Sequence, residues 1–143
     1  MFKMLDKLRQ RKQIKESVND FNAIREADFD DIWKIECNNN LLVALNGWLC
    51  RKCSYGENIE TLTDAEKAFY FVVQLEGEVN NGGFSQFFYN SSGDFANETP
   101  AALRKIGADK TADICDRALA AFGGAVPRNR DERETMLDET STD

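Results

Sequence analysis

The segment that opens at Thr63 constrains the fold most strongly, because it has the pattern of a long helix with marked ends. Thr63 and Glu66 have the spacing of a capping box, in which each side chain satisfies a backbone N–H of the first turn. The residues from Ala68 to Val73 are apolar almost all round, which is typical of a buried helix. Gly82 and Gly83 can end it. The segment therefore predicts a central helix on which the rest of the chain packs.

Helical patterns continue on both sides of this segment. Asp28 is a predicted N-cap for a helix whose apolar face holds Phe29, Ile32 and Trp33. Further on, Thr99 before Pro100 and Asp109 are predicted N-caps of two more helices. Cys115 is predicted to lie in the core face of the last of these. Since no alternating run bounded by turn residues predicts a strand, we expect an all-α, compact single domain of about six or seven helices.

The net charge of −7 over 143 residues is unevenly distributed. Residues 1–15 hold six basic side chains and one acidic one, a net charge of +5, whereas the remainder carries −12. We therefore divide the chain into a basic N-terminal helix (1–16), a helical domain (17–127) and a charged C-terminal helix and tail (128–143). Residues 1–16 would either lie on a membrane surface or pack a few apolar residues on the body. The sequence shows neither a secretory signal nor a membrane span, which predicts a cytoplasmic protein without a membrane partner.

Composition excludes several kinds of chemistry. The chain has no histidine, which removes Ser-His-Asp and Cys-His nucleophiles and imidazole metal sites. Cys50 and Cys53 form a lone C-x-x-C, and Cys37 and Cys115 lie too far away to complete a zinc ribbon. We expect free thiols and neither a metal nor a cofactor, with metal or redox chemistry at the pair as the alternatives. An acidic body is also poorly suited to direct nucleic-acid binding.

The run from Glu76 to Asp94 combines amides, glycines and aromatics, and three interpretations are open. It could be a structural corner between two helices, in which asparagines bond to helix-end carbonyls. It could be an enzyme or small-ligand pocket, with Glu76 or Glu78 as general base and Gln86, Tyr89 and Asn90 beside it. A phosphate cradle is the third, although no lysine follows the glycines. The motif residues are Glu78, Asn80, Asn81, Gly82, Gly83, Phe84, Gln86, Phe87, Asn90 and Asp94.

The sequence GEVNNGGFSQFFYNSSGD, residues 77–94, resembles the signature of a bacterial family formerly of unknown function and named for a DNA-mimic protein of Neisseria. The similarity continues through Ala102–Ala108 and the helix to Phe122, and covers roughly Thr63 to Pro127. It implies a compact all-α domain. It also implies a non-enzymatic protein that occupies the DNA-binding surface of a transcription factor or another basic nucleic-acid-binding protein.

A DNA mimic needs carboxylates placed where phosphates would lie. Acids spaced by three or four residues share one face of a helix, and three sets have this pattern. Arg117, Arg128, Arg130 and Arg133 interrupt the second and third sets. An immunity or antitoxin-like inhibitor of a basic toxin is an alternative function that would use the same acidic surface. A homodimer through Trp33 or Trp48 is also compatible with the sequence. The predicted acids are Asp28, Asp30, Asp31 and Glu36, then Asp109, Asp113 and Asp116, then Asp131, Glu134, Asp138 and Glu139.

Overall fold

The computed structural model describes residues 20–140, and the predicted basic helix of residues 1–16 lies outside them. Throughout residues 20–140 the regular structure is helical and no strand occurs, so the predicted all-α class is confirmed. The chain folds as two compact units, with the division between Lys52 and Cys53. No helix within the described residues is long and apolar enough to cross a membrane.

The first unit holds three helices: α1 (residues 20–25), α2 (Phe29–Ile32) and α3 (Asn38–Lys52). Gly47 lets α3 approach α1 closely, because a Cβ at that position would lie 2.2 Å from the backbone oxygen of Arg25. Arg51 then donates to the backbone oxygens of Arg25 and Ala27 at 2.6 and 2.8 Å. A cation at these helix-end carbonyls is favourable.

Helix α2 only partly fulfils its prediction. Asp28 occupies the N-cap, but its side chain makes no capping hydrogen bond, and the helix is one turn long. Of the three residues expected on its apolar face, Ile32 is fully buried, whereas Phe29 and Trp33 are 42% and 63% exposed. The predicted apolar face is therefore buried at Ile32 and largely exposed at the two aromatic residues.

The second unit is built on α4 (Asp64–Tyr89), and the predicted capping box is present. Glu66 N donates to Thr63 Oγ1, and Thr63 N donates to Glu66 Oε2 at 2.7 Å. The helix is interrupted at Gly82 and Gly83 and then resumes through the phenylalanines of the motif. Its buried side joins one core of ten residues: Leu75, Phe87, Phe88, Ala96, Leu103, Ala112, Cys115, Leu119, Phe122 and Val126.

Three further helices pack around α4, namely α5 (Thr99–Lys105), α6 (Asp109–Ala121) and α7 (Arg130–Thr140). Two predicted caps are wrong. Thr99 is the first residue of α5 rather than its cap, and its hydroxyl donates to the backbone oxygen of Phe95 at 2.7 Å. Asp109 likewise begins α6, with Ala108 at the N-cap. The segment after Asn90 is a 3₁₀ helix (Ser91–Phe95) that leads into α5.

Cys115 is fully buried in this core, as its helical position predicts. Burial raises the pKa of its thiol from 9.0 to about 11, and the neighbouring Asp116 adds to the shift. At pH values between about 9 and about 11, the Cys115 thiol of the folded protein keeps a proton that the thiol of the unfolded chain releases. The free energy of unfolding should therefore fall as the pH rises from about 9 to about 11, by up to about 2 kcal/mol.

Urea denaturation at several pH values across this window measures the effect, and Cys115→Ala separates it from the titration of lysines and tyrosines. The stability of the wild type should fall more steeply with pH than that of the variant. Parallel slopes would contradict the assignment.

Candidate functional site

The centre of the motif is a carboxylate that receives two amides across the break in α4. Gln86 Nε2 and Asn90 Nδ2 both donate to Glu78 Oε2, at 2.6 and 2.8 Å. Asn81 Nδ2 donates to Gln86 Oε1 at 3.2 Å. These bonds connect the last turns before the glycines to the turns after them, and we call Glu78, Asn81, Gln86 and Asn90 the amide brace.

The two glycines make this brace possible for different reasons. A Cβ on Gly82 would lie 2.3 Å from Gln86 Oε1, so a side chain there would displace the amide. Gly83 has φ 74 and ψ −170, a conformation essentially limited to glycine. The turn places Phe84, Phe87 and Phe88 on one side, where their rings contact each other with centroids 5.5 to 6.4 Å apart. The structural interpretation of the motif therefore accounts for its glycines, amides and phenylalanines together, but the expected bonding is wrong in detail: Asn81 and Asn90 donate to the side chains of Gln86 and Glu78 rather than to helix-end carbonyls.

The end of the motif holds the side chain of Arg133, which comes from α7. This guanidinium is fully buried. Its Nε donates to the backbone oxygen of Phe88 at 2.6 Å, and one terminal nitrogen donates to that of Asn90 at 3.0 Å. This terminal nitrogen also pairs with Asp94 Oδ1 at 2.7 Å. Gly93 leaves the necessary space, since a Cβ there would lie 2.9 Å from Arg133 Nε.

Sequence reasoning misses this role, because it counts Arg133 among the bases that interrupt an acidic surface. Its other terminal nitrogen donates to the backbone oxygens of Pro127 and Arg128, at 2.9 and 2.6 Å. A signal is present in the helical spacing. Arg133 precedes Met136 and Leu137 by three and four residues, so it lies on the same side of α7 as those core-packed residues.

A groove of about 400 Å³ lies on the other side of the motif, between α4, α5 and α6. Glu76 and Asn80 line it, but most of the lining is apolar, including Leu75, Val79, Ile106 and Ile114. The enzyme hypothesis expects a polar pocket in which Glu78, Gln86 and Asn90 face a ligand. Those three side chains instead bond to one another, and none of them lines the groove.

The predicted acids of the first two sets are all exposed, but they differ in their surroundings. Asp28, Asp30, Asp31 and Glu36 belong to the first unit, where Lys34 pairs with Asp31 at 2.6 Å. Two acids of α6 pair with Arg104 of α5. Its Nη2 lies 2.6 Å from Asp116 Oδ2 and 3.0 Å from Asp113 Oδ1. The hydrogen bond with Asp116, and then the field of both carboxylates, raise the pKa of Arg104. The negative charge of the α6 set is therefore partly neutralised within the protein.

The third set is arranged differently. Asp131, Glu134 and Asp138 are exposed on α7, and we call these three residues the α7 acidic face; the side chain of Glu139 lies outside the described part. The bases that sequence reasoning places beside this face are directed elsewhere. Arg133 is buried, Arg130 lies over the ring of Tyr89 at 4.4 Å, and Arg128 pairs with Glu98.

Among residues 20–140, no cluster of three or more Cys, Asp or Glu has the arrangement of a metal site.

The glycine requirement of the motif can be tested with two substitutions in one helix. Gly83→Ala forces a side chain into a positive-φ conformation and should lower the free energy of unfolding by about 1–3 kcal/mol. Gly77→Ala is the matched control, because a Cβ there meets nothing within 4 Å. It should raise stability by up to about 1 kcal/mol, since alanine favours the helix. Chemical denaturation followed by circular dichroism measures both, and a similar effect of the two changes would contradict the turn.

The burial of Arg133 predicts a larger loss. Arg133→Met removes the guanidinium and leaves Asp94 and several carbonyls without their partner, which should cost about 3–5 kcal/mol. Arg130→Met changes the same residue type on the same helix, but at an exposed position over a ring, and should cost about 1 kcal/mol or less. Denaturation midpoints compare the two variants. If both cost the same, the buried guanidinium does not anchor α7.

Comparison with known proteins connects these features to one family. The DMP19-like protein family matches residues 60–143, more than half of the chain. The match includes the motif, Arg133 and the whole of α7, and thus extends beyond the Pro127 limit of the resemblance seen in sequence. No curated protein and no solved structure matches the chain. The match over this length shows that the chain belongs to the DMP19-like protein family.

Proposed function

We propose that this protein is a non-enzymatic DNA mimic: an acidic domain that occupies the DNA-binding surface of a transcription factor or another basic nucleic-acid-binding protein in the cytoplasm. The observation that carries the proposal is the α7 acidic face, whose carboxylates are exposed while the neighbouring arginines are directed away from it. Membership in the DMP19-like family supports it, because that family is named for a DNA mimic.

The spacing of the carboxylates is suited to this role. Asp131 and Asp138 are seven residues apart, and at a rise of 1.5 Å per residue they span roughly 10.5 Å of helix. With Glu134 between them, the face carries about one charge per 5 Å, compared with about one per 3.4 Å along a single DNA strand. A row of lysines and arginines that follows a phosphate backbone would therefore meet a charge density of the same order.

Two alternatives differ from this proposal in what they require. An enzyme or ligand module centred on Glu76, Glu78, Gln86, Tyr89 and Asn90 would need a polar pocket. Two amides instead engage the Glu78 carboxylate, and Glu76 lines a groove that is mostly apolar. An immunity or antitoxin-like inhibitor would use the same acidic surface against a basic toxin. Competition by DNA distinguishes this last function from mimicry, because only a protein held through its DNA-binding surface is released by DNA.

The experiment is a capture of basic proteins from a bacterial lysate on the immobilised full chain at low salt, followed by elution with random-sequence duplex DNA. We expect DNA-binding proteins to elute, and the captured complex to weaken steeply with salt. The purified captured protein is then titrated against charge variants. Asp131→Asn, Glu134→Gln and Asp138→Asn combined should weaken binding by about threefold to a hundredfold, given about 0.2–1 kcal/mol for each exposed pair.

The matched control neutralises three acids in the first unit, with Asp28→Asn, Asp30→Asn and Glu36→Gln combined. Both triple variants change the net charge equally, so only the location of the charge differs. Retained binding by the control and lost binding by the α7 variant would support the proposal. Equal losses, or a captured protein that duplex DNA does not displace, would contradict it.

A further inference from the structure

The groove between α4, α5 and α6 has the size and lining of a small-molecule site. Its volume of about 400 Å³ falls in the range of roughly 300–1,000 Å³ that such sites occupy. Eight of its eleven lining side chains are apolar, and two of these, Ile106 and Ile114, are 56% and 46% exposed. A ligand with an apolar body would remove this surface from water, which favours binding.

The three polar side chains of the lining can all accept hydrogen bonds. Glu76 and Asn80 lie four residues apart on α4 and therefore share one face of the helix, and Thr111 comes from α6. All three are exposed. A carboxylate, an amide oxygen and a hydroxyl together suit a primary ammonium group, which has three N–H donors and no acceptor.

The charge of the groove selects the sign of the ligand, because Glu76 is the one charged residue in the lining. Within residues 20–140, Glu76 forms no ion pair or hydrogen bond. The bases of the adjoining helices are occupied or offset. Arg104 pairs with two acids of α6, Lys105 donates to a backbone oxygen at the start of α4, and the exposed Lys110 follows the exposed Asp109. An anion or a zwitterion would bring negative charge to a groove that has no base to receive it.

We propose that this groove binds a small primary amine in its ammonium form. The apolar body of the ligand packs on the aliphatic side chains, and its ammonium group pairs with Glu76 and donates to Asn80 and Thr111. This site differs from a polar pocket centred on Glu78, because only one end of the ligand is polar. The inference is independent of DNA mimicry, since the groove and the α7 acidic face share no residue.

The first experiment titrates the ¹⁵N-labelled full chain with octylammonium chloride and, separately, with sodium octanoate, two probes of equal length and opposite charge. Backbone amide shifts in the NMR spectrum locate the site and give the dissociation constants. We expect octylammonium to shift the amides of Val79 and Ala108, which lie in the groove, and to bind about fivefold or more tightly than octanoate. Heptylammonium should bind about fourfold more weakly than octylammonium, because it buries one methylene less.

Two substitutions with matched controls then test the groove itself. Glu76→Gln should weaken octylammonium binding by about two- to fivefold, whereas Glu60→Gln, the same change at an exposed residue outside the groove, should leave it unchanged. Thr111→Phe places a ring in the groove and should abolish binding. Thr135→Phe makes the same change at an exposed position of α7 and should have no effect.

Three results would overturn the proposal. The first is equal binding of octylammonium and octanoate, and the second is an equal effect of Glu76→Gln and Glu60→Gln. The third is a set of shifted amides that lies away from the groove, because the amine would then bind the acidic surface at large. Circular dichroism checks that Thr111→Phe folds, and the comparison of the two probes on the unaltered chain does not depend on any variant.

Discussion

The buried guanidinium of Arg133 is the interaction on which the second unit depends. Its five N–H donors meet five acceptors: the backbone oxygens of Phe88, Asn90, Pro127 and Arg128, and the carboxylate of Asp94. Removing a charge from water costs several kcal/mol, and a buried ion is tolerated only when its partners are this complete. Two of the carbonyls lie at the end of α4, where the helix dipole favours a cation. Arg133 therefore ties α7 to the end of the central helix.

The motif is best understood as the other half of this attachment. The amide brace fixes the orientation of the two parts of α4 relative to each other. That orientation directs the carbonyls of Phe88 and Asn90 toward Arg133. Gly93 then leaves room for the guanidinium, and Asp94 supplies its counter-charge. Because these residues build the scaffold, the most distinctive part of the sequence says little about what the surface binds. Surface function has to be sought on the helix that the motif holds in place.

How far the sequence predicts this structure depends on whether the deciding contact is local. The capping box at Thr63 and the break at the two glycines are local, and periodicity identifies both. Arg133 is missed because its five partners lie between five and 45 residues away, and a base in a charged segment looks like a solvated one. Thr-Pro usually starts a helix, which favours Thr99 as a cap, but the preceding 3₁₀ turn gives its hydroxyl a better acceptor in Phe95. Periodicity identifies the side of α2 that holds Phe29 and Trp33, but it cannot say whether anything covers that side.

Net charge alone is a poor guide to an acidic surface, and α6 and α7 show why. Helix α6 carries three acids, and α7 carries five, of which three form the α7 acidic face. On α6 a single arginine from α5 binds two of the acids, so a cationic partner would have to displace Arg104 before it could pair with them. On α7 the arginines are equally close in sequence, but one is buried, one lies over a ring and one pairs with Glu98. The charge of the buried Arg133 is paired with Asp94, so this base is not paired with the acids on the surface of α7. The interaction that stabilises the fold therefore also engages Arg133 inside the protein rather than at the exposed carboxylates of Asp131 and Glu134.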